Sequence, residues 1–137
     1  MRKTTCFAIL VSALVACNNA KKQENALKDT VLNFHEQVMT DDEKAMISKM
    51  KLDTLIHKAD SLHADTIALS KLSADLVKAD NAMTDWMSKL KVDYTDNDHN
   101  KVMEYWQDQQ KQVKGIDSML IKATQASAAH MSKIKKQ

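Results

Sequence analysis

Residues 102–134 read VMEYWQDQQKQVKGIDSMLIKATQASAAHMSKI, and their apolar side chains recur with the period of an α-helix. Steps of three and four residues place such side chains on one face of a helix. Lys133 lies in the last turn of the stretch, and Lys135 and Lys136 follow it, where cations complement the helix dipole. We therefore expect one long helix that buries a single seam, made of Val102, Trp106, Gln109, Val113, Ile116, Leu120, Ala123, Ser127, His130 and Ile134.

Two earlier stretches repeat in the same way, but out of phase with each other. The phase slip lies between Leu62 and Leu69, and indicates a turn around His63–Thr66 or a stutter in one long helix. We favour the turn, because a continuous helix over 41–91 would be about 75 Å long. The first seam is Leu27, Val31, Phe34, Val38, Asp41, Ala45, Ser48, Leu52, Leu55, Ala59 and Leu62; the second is Leu69, Leu72, Leu76, Ala79, Met83, Trp86 and Leu90.

These patterns predict an all-α fold, an antiparallel three-helix bundle with long helices of coiled-coil-like spacing. Thr40 and Glu43 fit a capping box, which allows a kink or a restart of the first helix near Met39–Asp41. Residues 92–98 form the clearest loop, and Thr95 is the expected N-cap of the last helix.

The first seventeen residues have the pattern of an export signal. Arg2 and Lys3 precede a short apolar run that ends Leu14-Val15-Ala16-Cys17, which resembles the bacterial lipobox. We therefore expect a signal peptide over 1–16, a lipidated Cys17 with a polar tether over 17–25, and the helical bundle over 26–137. Asn18 stands where an Asp would resemble an inner-membrane retention signal, so the outer membrane of the cell envelope is favoured over the inner membrane.

Composition excludes several classes of protein. One Gly and no Pro disfavour turn-rich β folds and phosphate-binding loops. Removing residues 1–16 takes Arg2 and Lys3 from the 20 basic residues and leaves 18, which balance the 18 acidic residues. This balance offers no basic field for nucleic acid. No free thiol and no strained nucleophile turn remain in the mature chain, so we expect no catalysis.

Methionine and histidine supply the candidate metal ligands. His35, Met39, Met83 and Met87 have helical spacings that place a thioether or imidazole on a common face, and such soft ligands suit Cu(I) or haem. The alternative is that these methionines fill the core, which is the commoner use of Met in helical bundles. Two Asp-x-x-His pairs, Asp60/His63 and Asp96/His99, are weak di-metal candidates because no matching glutamates accompany them.

Polar and aromatic residues beside the seams have structural interpretations. His35 and Asp80 both lie at the boundary of a seam, and a contact between them would fix helix register while satisfying both groups. Trp86 and Trp106 fall on the seams, so we expect both to anchor the core rather than to stack on a ligand.

Two motifs carry a resemblance, HEQVM at 35–39 and ADNAMTDWM at 79–87. With the lipobox and the helical layout, the chain resembles the small Bacteroidota lipoproteins often labelled "viral A-type inclusion protein", a family of unknown function. A helix-breaking Pro is expected after the first motif in that family, and Thr40 stands there instead. The resemblance implies location and shape, and no activity.

Together these observations predict a lipid-anchored helical envelope protein that acts as a binding or structural module. Its expected partners are the membrane, through the lipid, and an unidentified envelope protein or a second copy of itself. The alternative is a periplasmic copper- or haem-binding protein that uses His and Met side chains.

Overall fold

The computed structural model describes residues 10–58 and 65–134, with side chains from residue 19 onward. Three helices account for most of this part of the chain: α1 (Leu10–His57), α2 (Thr66–Lys89) and α3 (His99–Ile134). Each helix packs against the other two, which confirms the three-helix bundle. Predictions for residues 1–9, 59–64 and 135–137, including the Asp60/His63 pair, lie outside the described residues.

Cross-helix hydrogen bonds establish the direction of the helices. Ser73 of α2 donates to Asp53 of α1 over 2.9 Å, and Trp86 of α2 donates to Gln109 of α3 over 2.9 Å. Farther along the same helices, His35 of α1 packs against Trp86 of α2, and Leu72 of α2 lines a cavity with Ala126 of α3. Residue numbers therefore rise along α1 and α3 as they fall along α2, so α2 is antiparallel to both. No helix in the described ranges is both long and apolar enough to cross a membrane.

The core is built from side chains spaced seven residues apart. Seven residues make nearly two helical turns, so these side chains lie on one line along each helix. All eight residues from Val102 to Ser127 in the predicted α3 seam are buried, which confirms that part of the seam; its last two residues, His130 and Ile134, are half-buried. The members of these lines, at most 1% exposed, are Val31, Val38, Ala45 and Leu52 on α1, Leu69, Leu76 and Met83 on α2, and Trp106, Val113, Leu120 and Ser127 on α3; Ala79, between Leu76 and Met83 on α2, is also fully buried.

The restart considered near Met39–Asp41 does not occur, because α1 continues to His57. Val38 and Ala45 on either side are fully buried, so packing holds the helix across this region. Thr40 and Glu43, the residues of the capping-box pattern, therefore lie inside a continuous helix. Residues 18–25, expected as a tether, are also helical and belong to α1.

The starts of α2 and α3 are set by aspartates. Asp65 accepts hydrogen bonds from the backbone N–H groups of Ile67 and Ala68, over 3.0 and 3.1 Å, so a new helix begins where the turn was predicted. At α3 the expected N-cap Thr95 is wrong. The Asp98 carboxylate caps this helix by accepting from the backbone N–H of Asn100 over 2.9 Å, because α3 starts only at His99.

The Trp86–Gln109 hydrogen bond should be worth a measurable part of the stability. Both residues are buried, 3% and 8% exposed, and the Gln109→Leu change leaves the indole N–H without a partner. We expect it to lower the free energy of unfolding by about 1–3 kcal/mol, measured by urea denaturation. Gln107→Leu, on the exposed face of the same helix, is the control and should change stability by less than about 0.5 kcal/mol. Equal effects of the two changes would contradict the structure.

Candidate functional site

His35 packs against Trp86 rather than Asp80. The centroids of the two rings lie 5.5 Å apart with 39° between their planes. The His35 Nε2 atom is buried and has no hydrogen-bond partner, and Nδ1 lies 3.7 Å from a carboxylate oxygen of the exposed Glu36. The predicted contact between His35 and Asp80 is therefore not formed.

The register of α1 against α2 explains this difference. Asp80 lies near Asp42, close enough for its charge to act on the Asp42 carboxyl. Asp42 is seven residues beyond His35, a distance of about 10.5 Å along the helix. The boundary positions of His35 and Asp80 were identified from the seams, but a seam defines a face of a helix and not its axial register.

The four candidate soft ligands are only partly brought together. His35 and Met87 line one surface cavity of about 350 Å³, together with Leu32, Glu36, Leu90 and Val92. Met39, 37% exposed, and Met83, 1% exposed and inside the core, are not among the residues that line it. In the part of the chain that the structure describes, no group of three or more His, Cys, Asp or Glu side chains is placed to hold a metal ion.

Two pairs of aspartates lie where the middle of α1 meets its two neighbouring helices. Burial, and then the nearby Asp80 carboxylate, raise the pKa of Asp42. On the other side of α1, burial raises the pKa of Asp117, and the charge and hydrogen bond of Asp41 raise it further. One oxygen each of Asp42 and Asp117 is buried without a hydrogen-bond partner. Like charges therefore face each other across both interfaces of α1, an arrangement that the seams did not predict.

Glu24 joins the amino-terminal part of α1 to the start of α3. Its carboxylate lies 2.9 Å from Nδ1 of His99 and 3.1 Å from Nζ of Lys21, and its side chain is 9% exposed. The hydrogen bond with His99, together with Lys21, holds the pKa of Glu24 below its usual value. The sequence contains a signal for this role, because Glu24 lies seven residues before Val31, a member of the first seam.

The Asp96/His99 pair does not converge on a common point. His99 is bonded to Glu24, whereas the Asp96 carboxylate accepts from the backbone N–H of Asp98 over 2.9 Å and lies 3.7 Å from Nζ of Lys101. Asp96 thus orders the loop before α3. Both tryptophans are buried as expected, Trp86 at 3% and Trp106 at 1% exposure.

No family model, curated protein or solved structure matches the chain. The site therefore has to be interpreted from its own side chains. Its distinctive features are the half-buried imidazole of His35, which lines a cavity with Met87, and two carboxyl pairs. These pairs are Asp42 with Asp80, and Asp41 with Asp117.

Replacement of Asp117 by Asn should stabilise the protein at pH 7. The pKa of Asp117 is raised in the folded state, so its contribution is favourable at acid pH and is lost as pH rises through that pKa. Asn removes the charge facing Asp41, and we expect a gain of up to about 1 kcal/mol in the free energy of unfolding at pH 7, because the carboxyl is partly exposed to solvent.

The gain from Asp117→Asn should shrink as the pH falls below the pKa of the folded carboxyl. Urea denaturation at several pH values measures both effects. Asp85→Asn, at an exposed position, is the control and should leave stability nearly unchanged. A loss of stability at pH 7 in Asp117→Asn, or a gain independent of pH, would show that the two carboxylates do not repel each other.

Proposed function

We propose that this protein is a lipid-anchored lipoprotein of the bacterial cell envelope, acting as a helical binding or structural module without catalysis. Cys17 carries the lipid in this proposal, after cleavage of the signal over 1–16. The outer membrane is the favoured location because Asn18, rather than Asp, follows the cysteine. A partner protein of the envelope, or a second copy of the chain, would bind the exposed surface of the bundle.

The lipobox-like sequence Leu14-Val15-Ala16-Cys17 is the observation that carries this proposal, and the continuity of α1 relates it to the bundle. The helix runs without interruption from Leu10 to His57, so position 17 lies on the same helix as the first buried residue, Glu24. Seven residues of helix separate the two, a distance of about 10 Å. A lipid on Cys17 would therefore hold the bundle directly above the membrane surface, with His99 and the loop before α3 on the membrane side.

This arrangement also suits a structural role. Several acyl chains on one residue anchor a protein firmly, where one chain would bind reversibly. Because the anchor and the core share one helix, a force on the bundle would be transmitted to the lipid through α1 rather than through a flexible tether.

Metabolic labelling tests the anchor. Cells expressing the full chain are grown with an alkyne analogue of palmitate, and the labelled protein is detected after coupling to a fluorophore. We expect label on the wild-type protein and none on Cys17→Ala, which should also leave the membrane fraction or accumulate unprocessed. Cys6→Ala, at the other cysteine of the chain, is the matched control and should keep its label. A labelled Cys17→Ala variant, or an unlabelled wild type, would refute the anchor.

A copper-binding function is the second candidate, favoured by the placement of His35 and Met87 on one cavity. Imidazole and thioether together suit Cu(I). Competition with a Cu(I) chelator should then show one ion per chain, and Met87→Leu should abolish binding. Met50→Leu, at a position 67% exposed and outside that cavity, is the control. No saturable binding, or equal binding by both variants, would remove this candidate.

A further inference from the structure

A larger cavity lies between the carboxyl-terminal ends of α1 and α3. Its volume is about 540 Å³, within the range of small-molecule sites. Residues 51, 54 and 55 of α1 form one side, and residues between 128 and 134 of α3 form the other. Its walls are mainly apolar, formed by Leu55, Ala128, Met131 and Ile134.

The polar groups of this cavity favour a negatively charged ligand. Thr54 and Ser132 already donate their hydroxyl protons to backbone carbonyls, over 2.9 and 2.8 Å, so neither is free to donate to a ligand. The ammonium of Lys51 remains, and it makes no hydrogen bond or ion pair within residues 10–58 and 65–134. The described part of the cavity therefore offers the ammonium of Lys51 at the edge of an apolar wall.

Three further surface cavities have a different lining. Each of these three cavities includes an acidic side chain, Glu36, Asp41 or Asp75, which could pair with a nearby basic side chain in place of a ligand. Among the residues that the structure describes, those lining the cavity at Lys51 include no acidic side chain. A lysine without a carboxylate among the described lining residues thus distinguishes this cavity from those three.

We propose that this cavity binds an anionic amphiphile of the fatty-acid class. The alkyl chain would lie against Leu55, Met131 and Ile134, where burial of apolar surface supplies most of the affinity. The carboxylate would pair with Lys51, which is exposed, so the charge contributes selectivity more than strength. This site lies at the opposite end of the bundle from Glu24, and the proposal is independent of the lipid on Cys17.

Photolabelling of the full chain in phosphatidylcholine vesicles tests the site. The probe is dodecanoate with a diazirine on its alkyl chain, and labelled peptides are identified by mass spectrometry. We expect saturable labelling of the segments around Leu55 and Met131. Unlabelled dodecanoate should compete about threefold to fivefold better than dodecanol, which has the same chain without the charge.

Three variants locate the binding determinants. Ala128→Phe fills the cavity from an exposed position and should abolish labelling, with circular dichroism confirming that the helices are intact. Lys51→Gln should raise the half-saturating probe concentration about threefold to fivefold. Lys111→Gln, at an exposed position of α3 outside the cavity, should leave labelling unchanged.

Several results would overturn the proposal. Labelling that does not saturate, or that falls on other segments, would show that dodecanoate only partitions into the vesicle or binds elsewhere. Persistent labelling of Ala128→Phe would place the probe outside the cavity. Equal competition by dodecanol and dodecanoate would remove the role of Lys51. None of these results bears on the labelling of Cys17 by palmitate.

Discussion

One side chain at every seventh position of each helix is removed from water, and the rest of the structure depends on this repeat. Each fully buried Leu, Val or Met contributes roughly 1.5–3 kcal/mol of hydrophobic stabilisation. Leu52, Leu76 and Leu120 are all 0% exposed, one on each helix. In the mature chain proposed above no pair of cysteines remains to form a disulfide, so this core would carry the stability alone.

Polar groups within this core determine how the helices are aligned along their axes. Apolar seams tolerate sliding by a heptad, whereas a buried hydrogen bond does not, because a shift would leave its donor unsatisfied. The indole N–H of Trp86 bonded to Gln109 fixes α2 against α3 in this way. The bond from Ser73 to Asp53 fixes α2 against α1 near the other end of the bundle.

The carboxyl pairs around α1 act against this stability. The alignment set by the core and its hydrogen bonds brings Asp42 near Asp80 and Asp41 near Asp117, which raises the pKa of Asp42 and Asp117. Val38 and Ala45, on either side of Asp41 and Asp42, are fully buried. Functional sites are often places where a fold retains unfavourable polar groups. The middle of α1 retains two such carboxyl pairs.

Periodicity in the sequence was enough to predict which faces are buried, but not how those faces meet. The α3 seam from Val102 to Ser127 was identified in full, because a helical repeat is a local property of the chain. The predicted His35–Asp80 contact was wrong, because Asp80 lies near Asp42, about two helical turns farther along α1. Axial register depends on pairings between helices. Glu24 lies in the stretch that was expected to be a tether. It is polar, but it continues the seven-residue spacing and is hydrogen-bonded to His99.

Amide hydrogen exchange along α1 tests the central claim, that packing holds one uninterrupted helix, most directly. Residues 39–43 contain the capping-box pattern that favours a break, and are kept helical by the buried positions on either side. The account predicts that their amides exchange as slowly as those of the adjacent turns, 32–38 and 44–50. Exchange at 39–43 that is much faster than in both adjacent turns would show that α1 is two helices, and that the seven-residue core does not extend across its middle.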